Sequence, residues 1–73
     1  MNRADYLKVW GYLEILQTEY ENRQVLAAKK AAEAQTDEDK ERYKRLVFDY
    51  GKNKADLIEM KAKIEAEADK AQE

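Results

Sequence analysis

Large apolar and aromatic residues return every seven positions in both halves of this chain. In the first half the series is Tyr6, Leu13, Tyr20, Ala27 and Ala34, and in the second it is Tyr43, Tyr50, Leu57, Ile64 and Ala71. Val9 and Leu16 flank the first series on one side, Trp10 and Ala31 on the other. In the second half Leu46 and Met60 fall three positions after members of the series, with Asn53 on the same seam between them. Two stripes of this kind predict two long helices that meet along an apolar seam. The spacing places helix 1 at about 2–34, a turn at about 35–37 and helix 2 at about 37–71, each helix on the order of 50 Å long.

The boundary signals agree. Asn2 is placed to cap the first helix, with Asp5 three residues on. In "AQTDEDKE" Thr36 is a second N-cap, followed by Asp37, Glu38 and Asp39 in a first turn where negative charge is favoured. Lys29 and Lys30 stand near the end of the preceding helix, where positive charge is favoured. A turn here makes the helices antiparallel, and pairing positions whose numbers sum to about 70 opposes Ala27 to Tyr43, Tyr20 to Tyr50, Leu13 to Leu57 and Tyr6 to Ile64. The expected fold is all-α: a single domain over 1–73, an antiparallel two-helix coiled-coil hairpin that dimerises into a four-helix bundle. In architecture this resembles the plasmid copy-number regulator Rop, with no sequence match to it. The alternative is a three-helix bundle broken at Gly51, because "YGKNKAD" reads as a helix end followed by a new start at Asn53. Against the break, the seven-residue series passes from Tyr50 to Leu57 without a phase change.

The stretch "DYLKVWGYLEIL", residues 5–16, holds more large apolar groups than one helix face absorbs. Tyr6, Val9, Trp10, Leu13 and Leu16 share an arc, while Leu7 and Ile15 lie elsewhere, continued by Val25 and Leu26; Phe48 sits opposite the seam on helix 2. A hairpin alone leaves Leu7, Ile15, Val25, Leu26 and Phe48 wet, which makes these five the candidate protein interface. Burying each is worth about 1.5–3 kcal/mol. Asn53 is a candidate for fixing register or oligomeric state.

Composition narrows the possible work. Seventy-three residues form one small domain at most, and chains of this size lean on disulfides, metals or association. With no Cys and no His, disulfides, thiolate sites and the commonest metal ligand are absent. Ser and Pro are absent too. Charged residues make up 41% of the chain at a net charge of −2, a composition suited to solvated helices. There is no bilayer-spanning apolar run and no visible signal peptide, so a cytoplasmic protein is expected.

Candidate chemistry is sparse. The acidic tip Asp37, Glu38, Asp39 and Glu41 is most economically helix capping. Its carboxylates lack the spacing and turn of a calcium loop, and its likeness to the acidic hairpin tips of Gre-class transcript-cleavage factors is one of shape, without a docking domain. The stretch 40–54 carries six basic and two acidic groups. Lys40, Arg42, Lys44, Arg45, Lys52 and Lys54 could meet phosphates, with Tyr43, Phe48 and Tyr50 interleaved. No nucleophile–base pair, phosphate loop or metal cluster is present, so no catalysis and no cofactor are expected. The expected function is a small non-enzymatic protein–protein interaction module, an adaptor, inhibitor or regulator of a larger protein of the kind that phages and plasmids encode. Its partners are a second copy of itself, a larger protein, or both, with no membrane. The alternative is a nucleic-acid-associated regulator using residues 40–54.

Overall fold

In a computed structural model, which describes residues 1–71, the chain is two helices packed against each other: α1 (Arg3–Glu33) and α2 (Asp37–Lys70), joined by a turn at Ala34–Thr36. The hairpin is 56 Å long and 14 by 12 Å across. Both caps form as the sequence predicts. The Asn2 side chain accepts from the Asp5 amide at 2.9 Å, and the Thr36 hydroxyl accepts from the Asp39 amide at 3.1 Å. Each satisfies a backbone donor that a helix start leaves unpaired, and Asn2 and Thr36 both hold the extended backbone this needs. The first helix ends where Ala34 turns to extended backbone, its amide donating to the Ala31 carbonyl.

The second helix runs through Gly51 without interruption, and no residue has the positive φ of a helix end there. The three-helix alternative is therefore set aside. The unbroken seven-residue phase was the better guide than the local Gly–Lys–Asn signal. A Cβ on Gly51 would stand 2.8 Å from Nε2 of Gln24 on α1. The glycine thus leaves room for a side chain of the facing helix.

The seam follows a strict alternation of four and three residues. Facing positions are Tyr6, Trp10, Leu13, Gln17, Tyr20, Gln24, Ala27 and Ala31 on α1 with its cap Ala34, and Tyr43, Val47, Tyr50, Lys54, Leu57, Lys61, Ile64 and Ala68 on α2 with its cap Ala71, all buried or half-buried. The seven-residue series of both halves are present as expected. The companion series on α2 differs from expectation: it is Val47, Lys54, Lys61 and Ala68, one residue beyond Leu46, Asn53 and Met60. Asn53 is exposed and does not lie in the seam, and Met60 is 48% exposed. The helix is turned so that the stems of Lys54 and Lys61 lie at the seam, and the Lys61 ammonium reaches Glu14 and Gln17.

The register is kept along the hairpin. Tyr20 meets Tyr50 with ring centroids 6.0 Å apart, as paired numbers summing to about 70 require. Towards the open end the Lys61 ammonium lies over the Trp10 ring, a pair that sums to 71, while long side chains reach diagonally from Trp10 to Glu65 and from Lys61 to Glu14. Only Ala27, Ala31, Leu57 and Ala68 are buried among the described residues, and no side chain there is fully enclosed. The alanines near the tip let the helices approach closely, but they contribute little apolar area. One hairpin has a thin core.

Candidate interaction surface

The two long sides of the hairpin differ in chemistry. On one side stand the residues that follow the seven-residue series by one position: Glu14 and Glu21 on α1, and Lys44, Gly51, Ile58 and Glu65 on α2. Here the polar groups answer each other across the seam. Lys61, whose side chain is 13% exposed, is ion-paired with Glu14 and donates to Gln17 Oε1 at 2.7 Å. Its ammonium also lies 4.8 Å from the centre of the Trp10 ring, within cation–π range. The Trp10 indole N–H donates to Glu65 at 2.8 Å, and Gln17 donates to Glu21 at 3.1 Å. Farther along, Gln24 donates to the Val47 carbonyl at 3.2 Å, over Gly51. Among the described residues no buried side-chain polar atom lacks a partner. Leu7 and Ile58, each about half exposed, are the large aliphatic exceptions on this side.

On the other side stand the residues that precede the companion series by one position: Val9, Leu16, Arg23 and Lys30 on α1, and Leu46, Asn53, Met60 and Glu67 on α2. Near the open end Val9, Leu13, Met60 and Ile64 line a shallow apolar groove, bordered by Lys63. Nearer the tip Leu26, Ala27, Tyr43, Leu46 and Tyr50 line a second groove between Arg23 and Lys30. Leu16 remains 42% exposed between the two. On this side Val9 and Leu46 are half-buried and Leu16 and Met60 about half exposed, Arg23 and Lys30 lie over the Tyr20 and Tyr43 rings, and among the described residues no hydrogen bond or ion pair crosses between the helices.

The five interface candidates of the sequence are all exposed: Leu7 48%, Ile15 66%, Val25 71%, Leu26 52% and Phe48 66%. They do not gather into one stripe. At about 100° per residue, Leu7 flanks the polar side, Ile15, Val25 and Phe48 point away from the seam, and Leu26 alone borders the apolar grooves. Apolar counting passed over Val9, Leu16, Leu46 and Met60 because it assigned them to the seam itself. Their signal was present in the sequence, one residue out of phase.

The basic candidates are divided in the same way. Arg42 is paired with Asp39 at 2.8 Å and lies over the Tyr43 ring, and Lys44 is 3.7 Å from Glu41. Lys52 lies over Phe48, and Lys54 is half-buried in the seam. Lys40 and Arg45 are exposed. The six therefore point in several directions. At the tip, Asp37, Glu38 and Glu41 are exposed around the Thr36 cap. Among the described residues no group of acidic side chains is arranged to hold a metal ion, and no helix is long and apolar enough to cross a membrane. In comparison with known proteins, no family model, curated protein or solved structure matches the chain.

Proposed function

We propose that this chain is a non-enzymatic helical interaction module, a small adaptor or regulator in the cytoplasm that works by presenting the apolar side of its hairpin to a protein. The observation that carries this reading is the asymmetry of the two sides. Glu14, Gln17, Lys61, Trp10 and Glu65 satisfy one another on the polar side, where Leu7 and Ile58 are the large aliphatic groups left half exposed. Val9, Leu16, Leu46 and Met60 have no such cover on the other side, and large apolar groups aligned along a groove are the usual mark of a helix-binding surface. A partner helix laid there would turn the paired helices into a coiled-coil bundle.

A double substitution on that side, Leu16→Glu with Met60→Lys, tests the reading. Protein binding, whether to a second copy or to a protein of the native host, is expected to fall at least about tenfold while helicity by circular dichroism is kept. A binding activity that survives this variant but collapses as salt rises from 50 to 200 mM would instead favour the basic stretch 40–54 and a polyanion, since phosphate contacts are strongly salt-dependent.

A further inference from the structure

We infer that the occupant of the apolar side is a second copy of this chain, with the two hairpin tips at the same end of the assembly; this rests on the apolar side being the interaction surface. Area is the first argument. A folded monomer of 8.6 kDa is expected to expose about 4,700 Å² by the scaling of surface with mass. This hairpin exposes 5618 Å². The excess, about 900 Å², comes with the elongated shape of a lone hairpin, 56 by 14 by 12 Å, and a second hairpin laid alongside would make the assembly more compact.

The second argument is the order of apolar and charged groups along the side. A twofold assembly uses the same patch on both copies, so the patch must complement itself. With the twofold axis parallel to the helices, α1 of one copy lies beside α2 of the other at the same level. Val9 then meets Met60 and Ile64, and Leu16 lies at the level of Asn53 and Leu57. Nearer the tip Arg23 and Lys30 meet Asp49 and Asp39 of the other copy. Asp39 already takes Arg42, and a carboxylate has capacity for a second donor. With the axis across the helices, tip against open end, α1 lies beside α1 and α2 beside α2. Arg23 then falls at the level of Leu13 and Lys30 at that of Asp5 and Tyr6, while Asp39 falls at the level of Glu67, like against like. Charge thus selects the first arrangement.

The chain has no cysteine, so a single introduced thiol reports on one site. Gln35 lies in the exposed turn, and Gln35→Cys carrying a nitroxide label gives the tip-to-tip distance by pulsed electron resonance, with sedimentation giving the mass. A dimer with a tip-to-tip distance on the order of 10–25 Å, set by helix spacings of 8–10 Å plus the label arms, is expected. Leu16→Glu with Met60→Lys should weaken dimerisation at least about 100-fold, while Leu7→Lys, on the polar side, leaves it within about threefold. A dimer whose tips are separated by nearly the 56 Å length of the hairpin would overturn the arrangement. A folded monomer at 100 μM would overturn the inference. In that case, capture of a host protein lost in the Leu16→Glu, Met60→Lys variant would leave the interaction module standing, and no capture at all would remove both.

Discussion

The two long sides of the hairpin are built from the same two helices but solve opposite problems. On one, polar side chains enter the seam and find partners within the chain: Lys61 with Glu14 and Gln17, Trp10 with Glu65, Gln24 with the Val47 carbonyl. On the other, Val9, Leu16, Leu46 and Met60 stand beside the seam along shallow grooves, with Leu16 and Met60 about half exposed. The difference sets a side whose polar residues tie the two helices together against one that keeps its larger apolar residues at the edge of the seam. An apolar seam alone would permit several registers, because aliphatic contacts are non-directional. A half-buried lysine that needs one carboxylate and one amide within reach permits few.

The comparison can be broken most severely at Trp10. Its ring carries the Lys61 ammonium and its N–H holds Glu65, so it joins the two helices at the open end. Trp10→Ala is expected to lower stability by about 3 kcal/mol, enough to unfold so small a domain, and chemical denaturation read by circular dichroism measures it. The neighbours Lys61 and Met60 sharpen the contrast. Lys61→Ala removes two charge-assisted contacts and should cost about 1.5–3 kcal/mol. Met60→Ala should cost less than about 1 kcal/mol at concentrations too low for association, because the side chain is half exposed. By hydrophobicity alone the order would be reversed.

Smaller effects come from the two glycines. Gly11 lies in α1 with open space around the position of a Cβ, so Gly11→Ala should stabilise by about 0.5–1 kcal/mol through helix propensity alone. At Gly51 the same gain is offset, since a Cβ 2.8 Å from Gln24 Nε2 displaces the amide that bonds the Val47 carbonyl. Gly51→Ala is expected to be near neutral, and pairing it with Gln24→Ala should recover part of the propensity gain. Thermal melts of the two single variants and the pair separate these terms.

Much of the fold is legible in the sequence. The seven-residue series, the Asn2 and Thr36 caps, the hairpin turn and the meeting of Tyr20 with Tyr50 all follow from spacing and side-chain type. What spacing does not carry is the rotation of α2. Counting apolar residues selects Leu46 and Met60 for the seam, because they are apolar and Lys54 and Lys61 are not. The helices instead turn by one position, since four-carbon lysine stems fill the seam as well as aliphatic groups do, provided their charged ends have somewhere to go. That proviso depends on Glu14 and Gln17, a whole helix away in sequence. The same one-residue rotation decides which surface is left bare. On α2 it leaves Leu46 and Met60 beside the seam, on the same side as Val9 and Leu16 of α1, while Leu7, Ile15 and Val25 stay exposed elsewhere on α1 and Leu26 stands at the border.

The most direct test of this division of labour is sedimentation equilibrium of three proteins from 1 to 100 μM: the native sequence, Leu16→Glu with Met60→Lys, and Leu7→Lys with Ile15→Glu. The native chain and the Leu7, Ile15 variant are expected to reach about twice 8.6 kDa, while the Leu16, Met60 variant stays at the monomer mass with its helicity intact. Dimerisation that survives in the Leu16, Met60 variant, or that is lost in the Leu7, Ile15 variant alone, would contradict the assignment of the bare side.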